Sequence, residues 1–132
     1  MEKLAWSPEM SLGVPAMDGA HKAFVEELEH LASAPDREFG VGFSTLITKL
    51  EQDFREEEAL MEEIEFPALQ SHREQHARVL SALHHAVPEV MQGDYGSARK
   101  AIELLPQWFR FHLSTMDMAL AVTLDLAGSQ EH

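Results

Sequence analysis

The sequence has no cysteine, no long apolar run and few basic residues, and each shortage excludes a class of protein. Without cysteine, the 132-residue chain forms no disulfide, no thiolate metal site and no cysteine nucleophile. No apolar run approaches the roughly 20 residues that span a bilayer, and the first residues lack the basic-then-apolar order of a signal peptide. We therefore expect a soluble, cytoplasmic protein, since the lack of cysteine fits a reducing compartment.

Basic residues are heavily outnumbered: 10 Lys and Arg stand against 23 Asp and Glu, which gives a net charge of −13. An acidic surface repels phosphate backbones and anionic lipid headgroups, so we expect no nucleic-acid and no membrane partner. The same excess makes any single carboxylate weak evidence for a site. Apolar residues still make up 45% of the chain, enough for the core of a single domain over 1–132.

Apolar residues recur at helical spacing in four segments, which Pro, Gly and Asp separate. We predict helices over about 18–34, 40–65, 68–91 and 98–127, with a possible kink at Pro88 and a bend or restart at Pro106. Residues 1–17 read as an extended arm that lies across the bundle, with Trp6 as its apolar anchor. The predicted fold class is all-α: an antiparallel up-down-up-down four-helix bundle with an extended N-terminal arm.

Potential metal ligands occur in pairs on three of these helices. His72 and His76 are four residues apart, so their rings lie about 40° apart on one helix face. Asp53 and Glu57 repeat this spacing on the second helix. Each pair taken alone is also what a solvated polar helix face contains.

The fourth helix offers His112 and Asp117, which are five residues apart and therefore about 140° apart on a straight helix. These two converge only if the helix is distorted or a side chain has a long reach. A lone His21 on the first helix is by itself more often a core or surface histidine than a ligand. In an antiparallel bundle, however, early residues of one helix lie level with late residues of the next. Imidazole and carboxylate ligands from several helices are the usual construction of a metal site in a bundle, and this donor set suits Fe, Mn or Zn. The candidate ligands are His21, Asp53, Glu57, His72, His76, His112 and Asp117.

Four motifs follow one another between residues 6 and 117: "W-x6-G-V-x2-M-D-x2-H", "F-x2-E-E-x2-M", "H-x3-H" and "W-x3-H-x4-D". No single motif is specific, but in this order they resemble the hemerythrins, in particular the bacterial hemerythrins. The resemblance implies a non-haem di-iron centre that binds O2 reversibly, with two Fe ions joined by carboxylates and an oxo or hydroxo bridge. It implies that Glu57 and Asp117 are the bridging carboxylates, and that the histidine ligands are His21, His72, His76 and His112. Glu56 and Glu58 are expected to point to water or to a neighbouring helix.

Asp53 stands where the family has a further ligand histidine, just before Phe54. That change is expected to leave two histidines on each iron. Asp53 can ligate metal, leave a position open, or accept a hydrogen bond from a neighbour. If Asp53 ligates, the added carboxylate favours ferric iron and autoxidation. If it does not reach, the iron is expected to bind more weakly, be lost or react with peroxide, and Zn or Mn occupancy becomes plausible.

Two functions therefore stay open. The first is an oxygen-binding protein (carrier, store or sensor) whose partner is O2 or another small diatomic or peroxide ligand. The second is a di-iron oxidase- or peroxidase-like enzyme, or an altered-metal protein with Zn, Mn or a single iron. We expect an oxygen-binding protein rather than an enzyme, and no motif points to a protein partner. The centre is expected to have apolar walls, formed by Phe24, Phe54, Trp108, Phe109, Leu113 and Met116.

Overall fold

The computed structural model describes residues 10–13, 15–112 and 117–123 and contains four long helices. They are α1 (Pro15–Ser33), α2 (Asp36–Glu63), α3 (Leu69–Met91) and α4 (Gly96–His112), and residues 118–123 are helical as well. No strand occurs within the described ranges. Each helix packs on its neighbours in the chain, and α4 packs on α1. Because the connections are short, successive helices run antiparallel, which confirms the predicted all-α four-helix bundle.

The first helix begins earlier than predicted, at Pro15 rather than near residue 18. Proline suits a first helical turn because its fixed φ is helical and its missing N–H has no partner there anyway. The carboxylate of Asp18 stabilises the residues before the helix, because it accepts hydrogen bonds from the backbone N–H of Leu12 (2.8 Å) and Gly13 (3.2 Å). Leu12 packs against the core. The predicted anchor Trp6 lies outside the described residues, as do Leu113 and Met116.

The second helix also begins before its predicted start near residue 40, at Asp36, and its first two turns contain Gly40 and Gly42. A Cβ added to Gly42 would come within 2.5 Å of Leu31 Cδ2. Glycine therefore allows α1 and α2 to approach closely, and tertiary packing outweighs its weak helix propensity. The helices α3 and α4 continue through Pro88 and Pro106, so the restart that the sequence allowed at Pro106 is absent.

The core divides into two apolar clusters along the bundle. The larger includes Phe24, Phe54 and Phe109, and the smaller is built from Met17, Met61, Phe66 and Leu120. Between them, along each helix, lie the buried polar residues of the described part of the chain: His21, Glu57, His72, His76, His112 and Asp117. Buried ionisable groups are costly unless they are paired or bind a metal, so this level of the bundle calls for a chemical explanation. Within the described ranges, no helix is long and apolar enough to cross a membrane.

Candidate metal centre

The structure brings together six of the seven predicted ligands, from all four helical segments of the bundle. Three of the histidines, His72, His76 and His112, form with Glu57 what we call the three-histidine group. Their candidate ligand atoms all lie within 4.8 Å of one another. Glu57 Oε1 is 2.6 Å from His72 Nε2 and 3.4 Å from His76 Nε2, and it is 3.9 Å from His112 Nε2. One carboxylate oxygen thus faces three imidazole nitrogens.

A second set, the single-histidine group, consists of His21, Glu57 and Asp117, with ligand atoms again within 4.8 Å of one another. Asp117 connects the two groups through its two oxygens. Its Oδ2 lies 3.1 Å from His21 Nε2, and its Oδ1 lies 3.0 Å from the Nε2 atoms of both His72 and His112. The histidines are therefore divided three and one, and the expectation of two on each side is wrong. The H-x3-H pair on α3 faces His112 on α4, and position 53, on α2, supplies no second imidazole beside His21.

His112 ends α4, and Asp117, five residues later, has π-helical geometry. A π turn brings residues five apart onto one face. Such turns inside helices are frequent at functional sites.

Asp53 belongs to neither group. Its Oδ1 lies 3.4 Å from Lys49 Nζ, one turn earlier on α2, and its side chain is 10% exposed. Burial raises the pKa of Asp53, although Lys49 acts in the opposite direction. The seventh predicted ligand therefore lies beside the centre, with its charge paired to a lysine instead of joining the other donor atoms.

A cavity of about 30 Å³ adjoins the single-histidine group and has Asp53 in its wall. Four of the predicted wall residues line it, namely Phe24, Phe54, Trp108 and Phe109. This volume is enough for a molecule of about the size of water. The cavity is thus mostly apolar, small, and in contact with both His21 and Asp117.

Two carboxylates and two imidazoles of the centre shift one another's pKa values toward the charged forms: Glu57, Asp117, His72 and His112. Burial acts to raise the pKa of Glu57, but the polar contacts with the imidazoles of His112, His72 and His76 outweigh it and lower that pKa to about 2. Burial acts to lower the pKa of His72, but Asp117 and Glu57 outweigh it and raise that pKa to about 9. The same balance raises the pKa of His112 and lowers that of Asp117. A divalent cation would take the place of the imidazole protons and meet the same carboxylates.

Several of the candidate ligand atoms also lack a hydrogen-bond partner in the part of the chain that the structure describes. Buried polar atoms nearly always have a hydrogen-bond partner, yet Glu57 Oε1, Asp117 Oδ2 and His76 Nε2 have no bond of acceptable geometry within the described part. All three atoms face other members of the two groups. Since each is an atom type that binds metal, these residues fit a cation at this position.

Comparison with known proteins agrees with this fit. The hemerythrin HHE cation-binding domain matches residues 12–124. The chain belongs to the hemerythrin family. A bacteriohemerythrin from Ralstonia nicotianae is 33% identical over 128 residues, which cover 97% of this chain and 93% of the relative. The family resemblance predicted from the four motifs is confirmed.

Glu58 was expected to point to water or to a neighbouring helix, and in this hemerythrin-family chain it faces a neighbouring helix. Its Oε2 lies 3.0 Å from His76 Nδ1 on α3, a contact with a candidate ligand that the sequence did not predict. Its neighbour Glu56 is exposed and bonds Gln52 on its own helix. The partner of Glu58 lies 18 residues away on α3, so only the packing of α2 on α3 reveals the contact.

Proposed function

We propose that this protein is a non-haem di-iron protein that binds O2 reversibly. The observation that carries the proposal is the pair of ligand groups that share Glu57 and Asp117. The three-histidine group would hold one iron and His21 the other, with the two shared carboxylates between them. Carboxylate oxygen and imidazole nitrogen form a donor set that suits iron. When bound, the iron pair would supply electrons to O2 on binding and would take them back on release.

The chain itself supplies the fixed ligands and the dry surroundings. The ring of Phe54 stacks on His76 with centroids 3.8 Å apart, and Trp108 stacks on His112 at 4.7 Å. These contacts restrict the rotation of two imidazoles. The same two aromatic rings line the small cavity, so the wall that orients the ligands also excludes water from the space beside them.

The proposal is tested by the absorption spectrum of iron-loaded protein. After anaerobic reduction, addition of O2 is expected to produce a visible charge-transfer band that disappears when O2 is removed, over repeated cycles. The Glu57→Ala variant, which lacks the shared carboxylate, serves as the control and is expected to show no such band. Irreversible bleaching, or immediate oxidation without a reversible band, would contradict reversible binding.

A second candidate function is favoured by the position of Asp53. Because Asp53 is paired with Lys49, the single-histidine group offers one imidazole and two shared carboxylates. Such a set is more carboxylate-rich, and it favours oxidase- or peroxidase-like chemistry, or occupancy by Zn, Mn or a single iron. Elemental analysis together with peroxide turnover tests this candidate. Two irons per chain, and turnover no faster than that of free iron, would count against it.

A further inference from the structure

His76 differs from the other histidines of the centre in what holds its outer nitrogen. His76 Nδ1 lies 3.0 Å from Glu58 Oε2. The Nδ1 atoms of His21, His72 and His112 are buried and have no hydrogen-bond partner among the described residues. In that part of the chain, His76 is therefore the one histidine of the centre whose outer nitrogen meets a carboxylate.

Glu58 is itself held in place from the other side. Arg73, on α3, donates from Nε to Glu58 Oε1 at 3.1 Å, and its guanidinium also binds Glu62. The Glu58 side chain is 23% exposed, so it lies at the edge of the core rather than in open water. Oε1 of Glu58 therefore contacts the guanidinium of Arg73 near the surface, and Oε2 contacts the buried imidazole of His76.

The ring of His76 is restrained in two independent ways. Phe54 lies parallel to it, with an interplanar angle of 1°, which fixes the plane of the ring. The contact with Glu58 fixes its rotation within that plane. Together they direct Nε2 toward Glu57 Oε1, 3.4 Å away.

We propose that Glu58, braced by Arg73, is a positioning residue that sets the tautomer and the donor strength of His76. Neutral imidazole carries a single N–H. A carboxylate that accepts this hydrogen at Nδ1 leaves the lone pair on Nε2, which faces the centre, and makes the imidazole a stronger donor to a metal. The inference rests on the proposed metal centre but not on reversible O2 binding.

If the ion pairs of Arg73 with Glu58 and Glu62 only stabilise the fold, their loss should leave the metal affinity unchanged. Exposed ion pairs contribute little to stability, and their loss does not change a metal site. Loss of a carboxylate behind a ligand histidine, by contrast, lowers metal affinity by about 10- to 100-fold. Metal affinity therefore separates the two roles.

The experiment compares Glu58→Ala and Glu58→Gln with a matched control, Glu62→Gln. Glu62 also binds Arg73 but has no contact with His76. The affinity for Fe²⁺ is measured under anaerobic conditions by competition with a chelator, and the melting temperature of each metal-free variant verifies folding. We expect Glu58→Ala to weaken binding by about 10- to 100-fold, and Glu58→Gln by less, since its amide oxygen still accepts the Nδ1–H. The control is expected to match the wild type.

Solvent exchange of the imidazole N–H protons provides a second readout, independent of affinity and of O2. In the NMR spectrum of the iron-loaded protein, Glu58→Ala is expected to accelerate the exchange of one imidazole N–H signal that Glu62→Gln leaves unchanged. If wild-type protein binds Fe²⁺ but Glu58→Ala binds it as tightly as Glu62→Gln, the positioning role is wrong and the proposed function stands. A wild-type chain that takes up no Fe²⁺ would overturn both.

Discussion

The two ligand groups share two carboxylates but differ in almost everything that surrounds them. In the three-histidine group, every imidazole is at most 2% exposed, two rings stack on aromatic side chains, and one is held by Glu58. The single-histidine group has one imidazole, adjoins the cavity, and has beside it Asp53, which is paired with Lys49. One group thus has three imidazoles with several supporting contacts, and the other has a single imidazole, although the cavity also touches His112 of the first group.

Asp53 stands at the position where the family resemblance predicts a ligand histidine, and it lines the cavity beside His21. Lys49 reaches Asp53 from one turn earlier on the same helix. We therefore expect the three-histidine group to bind metal tightly and the single-histidine group to bind it more weakly.

Loss of a shared carboxylate is expected to have the largest effect, because it removes a ligand from both groups. Glu57→Ala should reduce the iron content from two per chain to nearly none, as measured by elemental analysis after gel filtration. Glu56→Ala, one residue away on an exposed face, should retain the wild-type content. Retention of one iron by Glu57→Ala would show that the groups do not depend on this carboxylate equally.

An imidazole at position 53 should reduce the difference in iron affinity between the two ligand groups. Asp53→His is expected to tighten the weaker iron by about 10-fold or more, because an imidazole replaces a carboxylate that is paired elsewhere, and to leave the tighter iron unchanged. Isothermal titration of the metal-free protein with Fe²⁺ measures both steps. Gln52→His, whose side chain is exposed, is the control. An equal gain in both steps would argue against the division into two groups.

The pH dependence of the metal-free protein reports on the three-histidine group. The pKa of His72 is raised from 6.5 to about 9, so its protonation stabilises the fold fully below pH 6.5, and this contribution is lost as the pH rises through 9. The pKa of Glu57 is lowered from 4.5 to about 2, so its contribution is present above pH 4.5 and is lost as the pH falls through 2.

Thermal unfolding of chelator-treated protein should therefore give its highest melting temperature between about pH 4.5 and 6.5, with a decline toward pH 9.5. The His72→Ala variant should lose a large part of that decline, which separates the effect of the centre from general charge repulsion. A melting temperature at pH 9.5 equal to that at pH 5.5 would be inconsistent with the raised pKa.

The smallest effect is expected from Lys49, whose ion pair with Asp53 is half exposed on the lysine side. Replacement by methionine keeps the length of the side chain and removes its charge. Exposed ion pairs are worth about 0–1 kcal/mol, so Lys49→Met should change unfolding stability by no more than that. The freed carboxylate should tighten the weaker iron by up to about fivefold, again measured by Fe²⁺ titration. Weaker binding of Fe²⁺ by Lys49→Met would mean that Lys49 supports the centre and does not keep Asp53 from ligating the metal.

The sequence predicted the bundle because apolar periodicity and short connections determine it. It placed the start of α2 near residue 40, whereas the helix begins at Asp36, directly after Pro35. The close approach of Gly42 to Leu31 depends on how α1 packs on α2, which local propensity does not show. Helix spacing also identified the six residues that converge, as each lies on the buried face of its helix. It gave neither the division of histidines into three and one nor the role of Glu58, because both depend on how α2, α3 and α4 pack against one another.

The central claim, a centre with one tightly and one weakly held iron, is tested most directly by stepwise removal of iron from the loaded wild-type protein. With a chelator in excess and iron release followed over time, the account predicts two phases of one iron each. Asp53→His should slow the fast phase, and Glu58→Ala should accelerate the slow one. Release of both irons from the wild type in a single phase would contradict the claim.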